Sequence, residues 1–392
     1  MDINNIILPP ATIGVIGGGQ LGRMLAFDAK RMGYDVIVLD PKENCPAVQV
    51  CDKQIVGSLY SESDIRKLAD SCDVLTYEFE FLDAQILIDL EEEGYKVYPS
   101  GKTLKTIQNK YTQKTFFKEA GLPVPKFIKV SSIEEIKAGI LELGLPAVLK
   151  FCTGGYDGKG NIIIKSLEEI DEIAKDIPLD SKDFMLEEFI KFKCEISMAV
   201  ARNIHGQVEH FPIGENIHEE SILRFTKVPA NITKEVEERA KEVVGRVIRA
   251  FDDIGLICVE LFVSENDEIY INEVAPRTHN STHYTMEGCK TSQFEQQLRA
   301  ITGLPLGSTE LISPVVMVNL LGEEKIEGKF KINGLEKVLE NKSTYFHFYG
   351  KSFVDVKKKI GHITILDKTV EKAYETGIKV LNDIKIEAVK EI

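Results

Sequence analysis

The chain has 392 residues and 43.9 kDa, 43% hydrophobic and 28% charged, a composition that suits two or three globular domains with sizeable cores. A net charge of −14 and a pI near 5.2 argue against a nucleic-acid or anionic-membrane binder, so any phosphate site must be a local cluster of Lys and Arg. Seven singly scattered cysteines, no apolar run near the roughly 20 residues of a membrane span, and a start, MDINNIILPP, without a basic head predict a reduced, cytoplasmic protein.

Residues 12–98 alternate strand and helix: TIGVIG, a helix over about 20–32, DVIVLD, a helix near 62–71, DVLTYEF, a helix near 84–93 and YKVYP. That rhythm predicts a doubly wound parallel sheet. The first turn, Gly17-Gly18-Gly19-Gln20-Leu21-Gly22, satisfies G-x-G-x-x-G, and Asp40 ends the second strand at the spacing of a ribose-binding acid. Two readings stand here. One is a dinucleotide site, which would make the chain a nicotinamide oxidoreductase. In the other the glycines only permit a tight turn and leave helix amides facing some other anion.

Residues 101–121 read as a helix carrying Lys102, Lys105, Lys110 and Lys114 and ending at Gly121-Leu122-Pro123. After the LPVPKF crossover and a helix near 132–143, the strand Pro146–Phe151 runs into Thr153-Gly154-Gly155-Tyr156-Asp157-Gly158-Lys159-Gly160, and the strand NIIIK follows at once. Four glycines in eight residues let amides approach an anion, with Lys150 and Lys159 supplying charge. Because a strand follows the glycines, the loop reads as a flap over phosphates and not a P-loop; the alternative is a plain turn. A helix near 167–175 precedes FMLEEFI, where Glu187 to Ile190 offer edge hydrogen bonds to a flat base, and Glu195 in CEISMAV suits ribose hydroxyls. Solvated acids on an edge strand are the alternative for both. Residues 233–254 form an amphipathic helix whose apolar stripe belongs under a sheet.

The stretch 256–274 is the most constrained. Two strands, Leu256 to Val263 and Ile269 to Val274, flank the polar run Ser264 to Glu268, and a hairpin closed about Asn266 and Asp267 sets Glu260 opposite Glu273, with Phe262 opposite Ile271 as the next same-face pair. Like charges so placed repel, and burial adds several kcal/mol per ion unless it is compensated. A hard divalent cation, Mg²⁺ where phosphates complete its shell, is the natural compensation; solvated carboxylates on an exposed hairpin are the rival. The polar burst from Pro276 to His283 has no zinc spacing, and Arg277 is its candidate anion contact. A helix over 293–303 follows. From about Leu311, PVVMVNLLG, STYFHFYG and IGHITIL with a last helix from Thr369 to Leu381 predict a small third domain, in which Lys351 and Lys357-Lys358-Lys359 make either a phosphate site or a solvated turn.

Taken together, GGGQLGRM at 17–24, TYEFE at 76–80, KFCTGGYDGKG at 150–160, NEVAPRTHNSTHYT at 272–285, SQFEQQLRAITGLPLG at 292–307, FHFYGK at 346–351 and KKIGH at 358–362 resemble the N5-carboxyaminoimidazole ribonucleotide synthetases of the ATP-grasp superfamily, nearly end to end. The resemblance implies an α/β ATP-grasp fold: a Rossmann-like pre-ATP-grasp domain over 1–100, the ATP-grasp domain over 101–310 with a flap subdomain near 122–190, and an α+β C-terminal domain over 311–392. It implies that ATP phosphorylates bicarbonate and that the carboxyphosphate, or CO₂ from it, carboxylates 5-aminoimidazole ribonucleotide in purine biosynthesis, releasing ADP and phosphate.

Matching motif positions assigns ATP to Lys110, Lys150, Gly155, Tyr156, Asp157, Gly158, Lys159, Gly160 and Asn161, with adenine on Glu187, Glu188, Phe189 and Ile190, ribose on Glu195, and His218, Asn272 and Glu273 in the same pocket. The metal, Mg²⁺ or Mn²⁺ in its place, falls to Glu260 and Glu273. The imidazole ribonucleotide falls to Gln20, Leu21, Glu78, Arg277, Asn280, Lys351, Lys358 and Lys359. Catalytic roles fall to Tyr156 and Asp157, facing amine and bicarbonate, and to Arg277. The resemblance also implies a homodimer without nucleic-acid or membrane partners. Two positions depart from the family pattern: Ala275 stands where many ATP-grasp enzymes carry a metal-binding Asn, and Asp355-Val356-Lys357-Lys358-Lys359 replaces an Arg-Pro-Gly-Arg-Lys run, keeping charge without Arg's bidentate fork. The rivals are a formate-using transformylase of glycinamide ribonucleotide, disfavoured by Gln20, the nicotinamide oxidoreductase, and a silent nucleotide-binding regulator, disfavoured by the retained Lys150 and both glutamates.

Overall fold

The computed structural model describes residues 6–154, 160–177, 183–326, 329–351 and 353–389. The flap positions Gly155, Tyr156, Asp157, Gly158 and Lys159 lie outside them.

At the N-terminus, four parallel strands run in the order Lys53–Val56, Asp35–Asp40, Thr12–Ile16, Val74–Tyr77. These strands are apolar at nearly every position, so both faces need cover. Ile13, Val15, Val36 and Val38 pack on one side against the helices Gln20–Arg31 and Gln293–Ile301, and Ile16, Leu39, Leu75 and Tyr77 on the other against Glu62–Ala69 and Ala84–Glu92. The expected strand YKVYP shrinks to a single parallel bridge, Val97 to Leu75; Pro99 has no amide with which to extend it.

The expected helix over 101–121 is two helices, Gly101–Gln108 and Lys110–Glu119. Asn109 breaks it: its backbone is extended and its side chain accepts from the Thr112 amide at 3.0 Å, so it caps the second helix rather than continuing the first. Lys110 thereby becomes a first-turn residue, and its amide donates to Cys152 at 2.7 Å, at the base of the glycine loop. A four-stranded antiparallel sheet, Phe127–Val130, Phe184–Glu188, Ala147–Phe151, Asn161–Ile164, carries that loop and packs on the helix Ile133–Leu143 through Ile136 and Ile140.

The largest sheet is antiparallel, in the order Ile269–Ala275, Gly255–Ser264, Phe192–Arg202, Gly214–Glu219, Ile222–Val228, Val315–Leu321, Lys359–Leu366, Thr344–Phe348. Three strands from 315 onward thus prolong the sheet begun by the preceding region, while Phe330–Asn333 and Lys385–Ala388 pair antiparallel as a separate two-stranded sheet. The two strands within 214–228 were not legible in the sequence. Beneath the sheet lies the helix Lys234–Phe251, whose Val236, Ala240, Val244, Val247 and Ile248 meet Met198, Val259, Leu261 and Val263. Strand alternation then decides the opposite face: with Val259, Leu261 and Val263 turned to the helix, Glu260 and Phe262 turn away from it.

Candidate active site

That opposite face floors a cavity of about 780 Å³ between the three sheets. Glu260 and Glu273 are paired across the hairpin as the sequence predicts. The next pair differs: Phe262 faces Tyr270, not Ile271, because a bulge follows Glu260. One extra residue on the Ile269–Ala275 strand has a consequence, since the adjacent Asn272 and Glu273 both line the cavity while Ile271 stays in the core. The two carboxylates do not share an environment. Glu273 is held below the ordinary carboxylate range; desolvation opposes its ionisation, but Lys110 at 2.9 Å together with Lys150 and Arg277 outweighs that. Glu260 is pushed up to about 7 by burial and by the facing Glu273, with His218 pulling the other way. His279 Nε2 lies 3.8 Å from it.

Glu260 therefore binds its proton more tightly in the folded chain than in the unfolded one. Its contribution to stability is present below the ordinary carboxylate pKa and is lost as pH rises to about 7. Replacing it by Gln is expected to stabilise the ligand-free protein by about 2 kcal/mol near pH 8 and by almost nothing near pH 4.5, which calorimetric melting at the two pH values measures.

Above the floor, Lys150 donates to Glu187 Oε1 at 2.6 Å, and Lys114, one helical turn after Lys110, lies 3.2 Å from Oε2. His218 Nδ1 stands 3.3 Å from Glu195 Oε1. Glu188, Phe189 and Ile190, at and just beyond the end of the strand Phe184–Glu188, form one wall, with Asn161 beside them. Phe192 and Phe262, stacked at 4.7 Å, are an apolar platform in the same cavity.

The glycine turn ends at the far side. The Gly19 and Gly22 amides donate to Glu78, the latter at 2.6 Å, so the helix N-terminus already holds a carboxylate of the protein itself. Asp40 is likewise engaged, accepting from the Gly18 and Lys42 amides at 2.9 and 2.8 Å. A side chain at Gly19 would collide with Glu78 and one at Gly18 with Cys45, which is why glycines stand there. A dinucleotide pyrophosphate has no room at this turn, and the oxidoreductase reading loses its site. Gln20, Leu21 and Glu78 line the cavity instead.

Arg277 completes this end. It pairs with Glu80 at 2.7 Å and donates to the Thr278 carbonyl at 2.9 Å, while its buried Nε has no hydrogen-bond partner among the described residues. Lys351 donates to the Lys359 carbonyl at 2.6 Å, and burial, reinforced by Lys358 and Lys359 against the pull of Glu78, pushes it down to about 8. Asn280 closes a double amide pair with Asn319, 2.9 and 2.6 Å.

All the anticipated contacts among the described residues therefore line one cavity except two. Gly160 sits at the flap's base, its carbonyl accepting from Phe151 at 3.0 Å, and Lys358 lies in the turn before the strand Lys359–Leu366, its carbonyl accepting from Gly322 at 3.0 Å. Lys357 pairs with Glu220 on the outside. Sequence reasoning gave no role to Lys114, Glu80, His279 or the Phe192–Phe262 stack. The four-residue spacing from Lys110 and the two-residue spacing from Glu78 were signals for the first two; the stack depends on strand register and had none.

Sheet arrangement and paired carboxylates at one cavity define an ATP-grasp enzyme. The ATP-grasp domain family matches residues 115–294, the ribonucleotide synthetase preATP-grasp domain 10–108, and the phosphoribosylaminoimidazole carboxylase C-terminal domain 315–376. The N5-carboxyaminoimidazole ribonucleotide synthase of Bacillus subtilis is 42% identical over 362 residues, 92% of this chain and 93% of that one, and the chain belongs to that family. The crystal structure of the Thermotoga maritima synthetase superposes with a TM-score of 0.88 at 41% identity, covering 97% of this chain and all of its own. That of the Aspergillus clavatus synthase, in complex with ADP and 5-aminoimidazole ribonucleotide, does so at 0.86 and 34% identity, covering 95% and 98%.

Proposed function

We propose that this chain uses ATP and bicarbonate to carboxylate the exocyclic amine of 5-aminoimidazole ribonucleotide, a carbon–nitrogen ligase step of purine biosynthesis. The observation that carries it is the single cavity with two chemically distinct ends: lysines, Glu187 and two opposed carboxylates at one, and Glu78, Arg277, Lys351 and Lys359 at the other. A nucleotide fits the first end, a phosphorylated small molecule the second.

On this reading Lys110 and Lys150 hold the ATP phosphates, Glu187 to Ile190 the base and Glu195 the ribose. Glu260 and Glu273 would hold Mg²⁺: two hard oxygen donors, one with no cation close enough to hold it ionised at neutral pH, suit an ion that takes the rest of its shell from phosphates. When bound, the ion would neutralise phosphate charge and align the transferring group. A bicarbonate oxygen attacks the γ-phosphorus, ADP leaves, and carboxyphosphate remains; the amine then takes CO₂, phosphate departs and the amine loses a proton. On this reading the Arg277 charge, which lines the cavity, meets the anionic intermediate. Lys351, part-neutral near pH 8, regains its proton when a substrate phosphate arrives.

The test is ADP release with Mg-ATP and the imidazole ribonucleotide, alongside incorporation of labelled bicarbonate. Turnover that ignores the ribonucleotide, with no label fixed, would end this reading; turnover with formate and glycinamide ribonucleotide would favour the transformylase. Location in the cytoplasm is supported by seven free cysteines, and no helix among the described residues is long and apolar enough to cross a membrane. A homodimer is what the resemblance implies, and light scattering tests it.

A further inference from the structure

Lys114 is the buried cation for which the reaction as described has no use. Its side chain is 2% exposed, as is that of Glu187, and Lys150 is 8% exposed, so three charges share a buried volume at the edge of the cavity. Lys150 occupies Glu187 Oε1, whereas Oε2 accepts no hydrogen bond from the described residues and has only Lys114 at 3.2 Å. The Lys114 ammonium is itself fixed, donating to the Ile271 carbonyl at 2.6 Å, one residue before the bulge that presents Asn272 and Glu273. Lys150 spends one of its three donors on Glu187, and a phosphate in the cavity would draw the ammonium toward itself. When it turns to a phosphate, a carboxylate this deep would be left without a close counter-charge unless a second cation stays.

We propose that Lys114 is a positioning residue for nucleotide binding: it keeps Glu187 ionised and seated while Lys150 leaves that carboxylate for the nucleotide's phosphates. The inference rests on the reading of Lys150 as a phosphate contact. It is supported by the balance of charges around Glu187, which is held below the ordinary carboxylate range against its burial, by Lys114 first and Lys150 second.

A double-mutant cycle on the full chain tests it, with ADP affinity measured calorimetrically so that no carboxylation is needed. Lys114→Met is expected to weaken ADP about tenfold in the wild-type background and less than about twofold when Glu187 is already Gln, because the lysine acts through that carboxylate. In turnover the same change raises the KM for ATP about tenfold and lowers kcat by less than about threefold. Losses that are equal in the two backgrounds mean that Lys114 only braces the Ile271 carbonyl, and overturn the proposal. Should Lys114→Met not fold, Lys114→Gln, which keeps a donor without the charge, runs the same cycle with the same expected outcomes. Wild-type protein that binds no ADP overturns this role together with the reading of the site; wild-type binding with additive losses overturns this role alone.

Discussion

Glu273→Gln is expected to lower kcat by on the order of 10³-fold or more, about 4 kcal/mol of barrier, while the protein still folds. The substitution keeps the volume and the strand register and removes one negative charge from the cavity floor. Its neighbours on the core side, Ile271 and Val274, are untouched, and Val259 and Leu261 across the hairpin still meet the helix below. Three electrostatic changes follow. Lys110, now 2.9 Å from a neutral amide, loses its counter-charge. Glu260, relieved of the facing carboxylate, falls from about 7 toward its ordinary range. The oxygen donors available to a divalent ion drop from a pair of carboxylates to one. Phosphate release with ATP and the imidazole ribonucleotide measures the loss, and a melting temperature within a few degrees of wild type shows that it is chemical and not a folding defect. A variant with near-normal turnover removes the assignment of these residues to a metal.

The carboxylate pair was legible because two glutamates in apolar strands are costly, although the hairpin closes one residue off the symmetric register, with Val263 opposite Ile269. The bulge behind them was not. Nothing in Ile269–Ala275 marks the extra residue, yet without it Asn272 and not Glu273 would stand opposite Glu260. The glycine turn misleads in the opposite direction. Its sequence fits a dinucleotide, and only the structure shows the Glu78 carboxylate on the amides where a pyrophosphate would sit, 56 residues from Gly22 in the chain. Asn109 illustrates a third limit: helical periodicity continues across it, and its role as a cap depends on the local competition between side chain and backbone for one amide. Local propensities and burial costs leave traces in sequence, whereas contacts between distant segments leave few.

Arg277→Met is expected to lower kcat/KM for the imidazole ribonucleotide by about 10²–10³-fold, and to destabilise the protein by about 2–4 kcal/mol, for separable reasons. The Arg277 side chain is 16% exposed and that of Glu80, its partner at 2.7 Å, 18%, so removing the cation strands a largely buried carboxylate. That penalty belongs to Glu80. Adding Glu80→Gln should therefore restore most of the stability, because an uncharged amide costs far less to bury alone. It should not restore activity, since on the proposed reading the activity belongs to the charge that faces the cavity. Arg277→Lys falls between: it keeps the charge next to Glu80 and the fold with it, but a point ammonium cannot engage Glu80, the Thr278 carbonyl and an incoming anion in one plane. Chemical melting and steady-state kinetics on the three variants separate the two effects. If the Arg277→Met, Glu80→Gln double variant recovers turnover along with stability, Arg277 is a structural counter-ion and the intermediate is held by something else in the cavity.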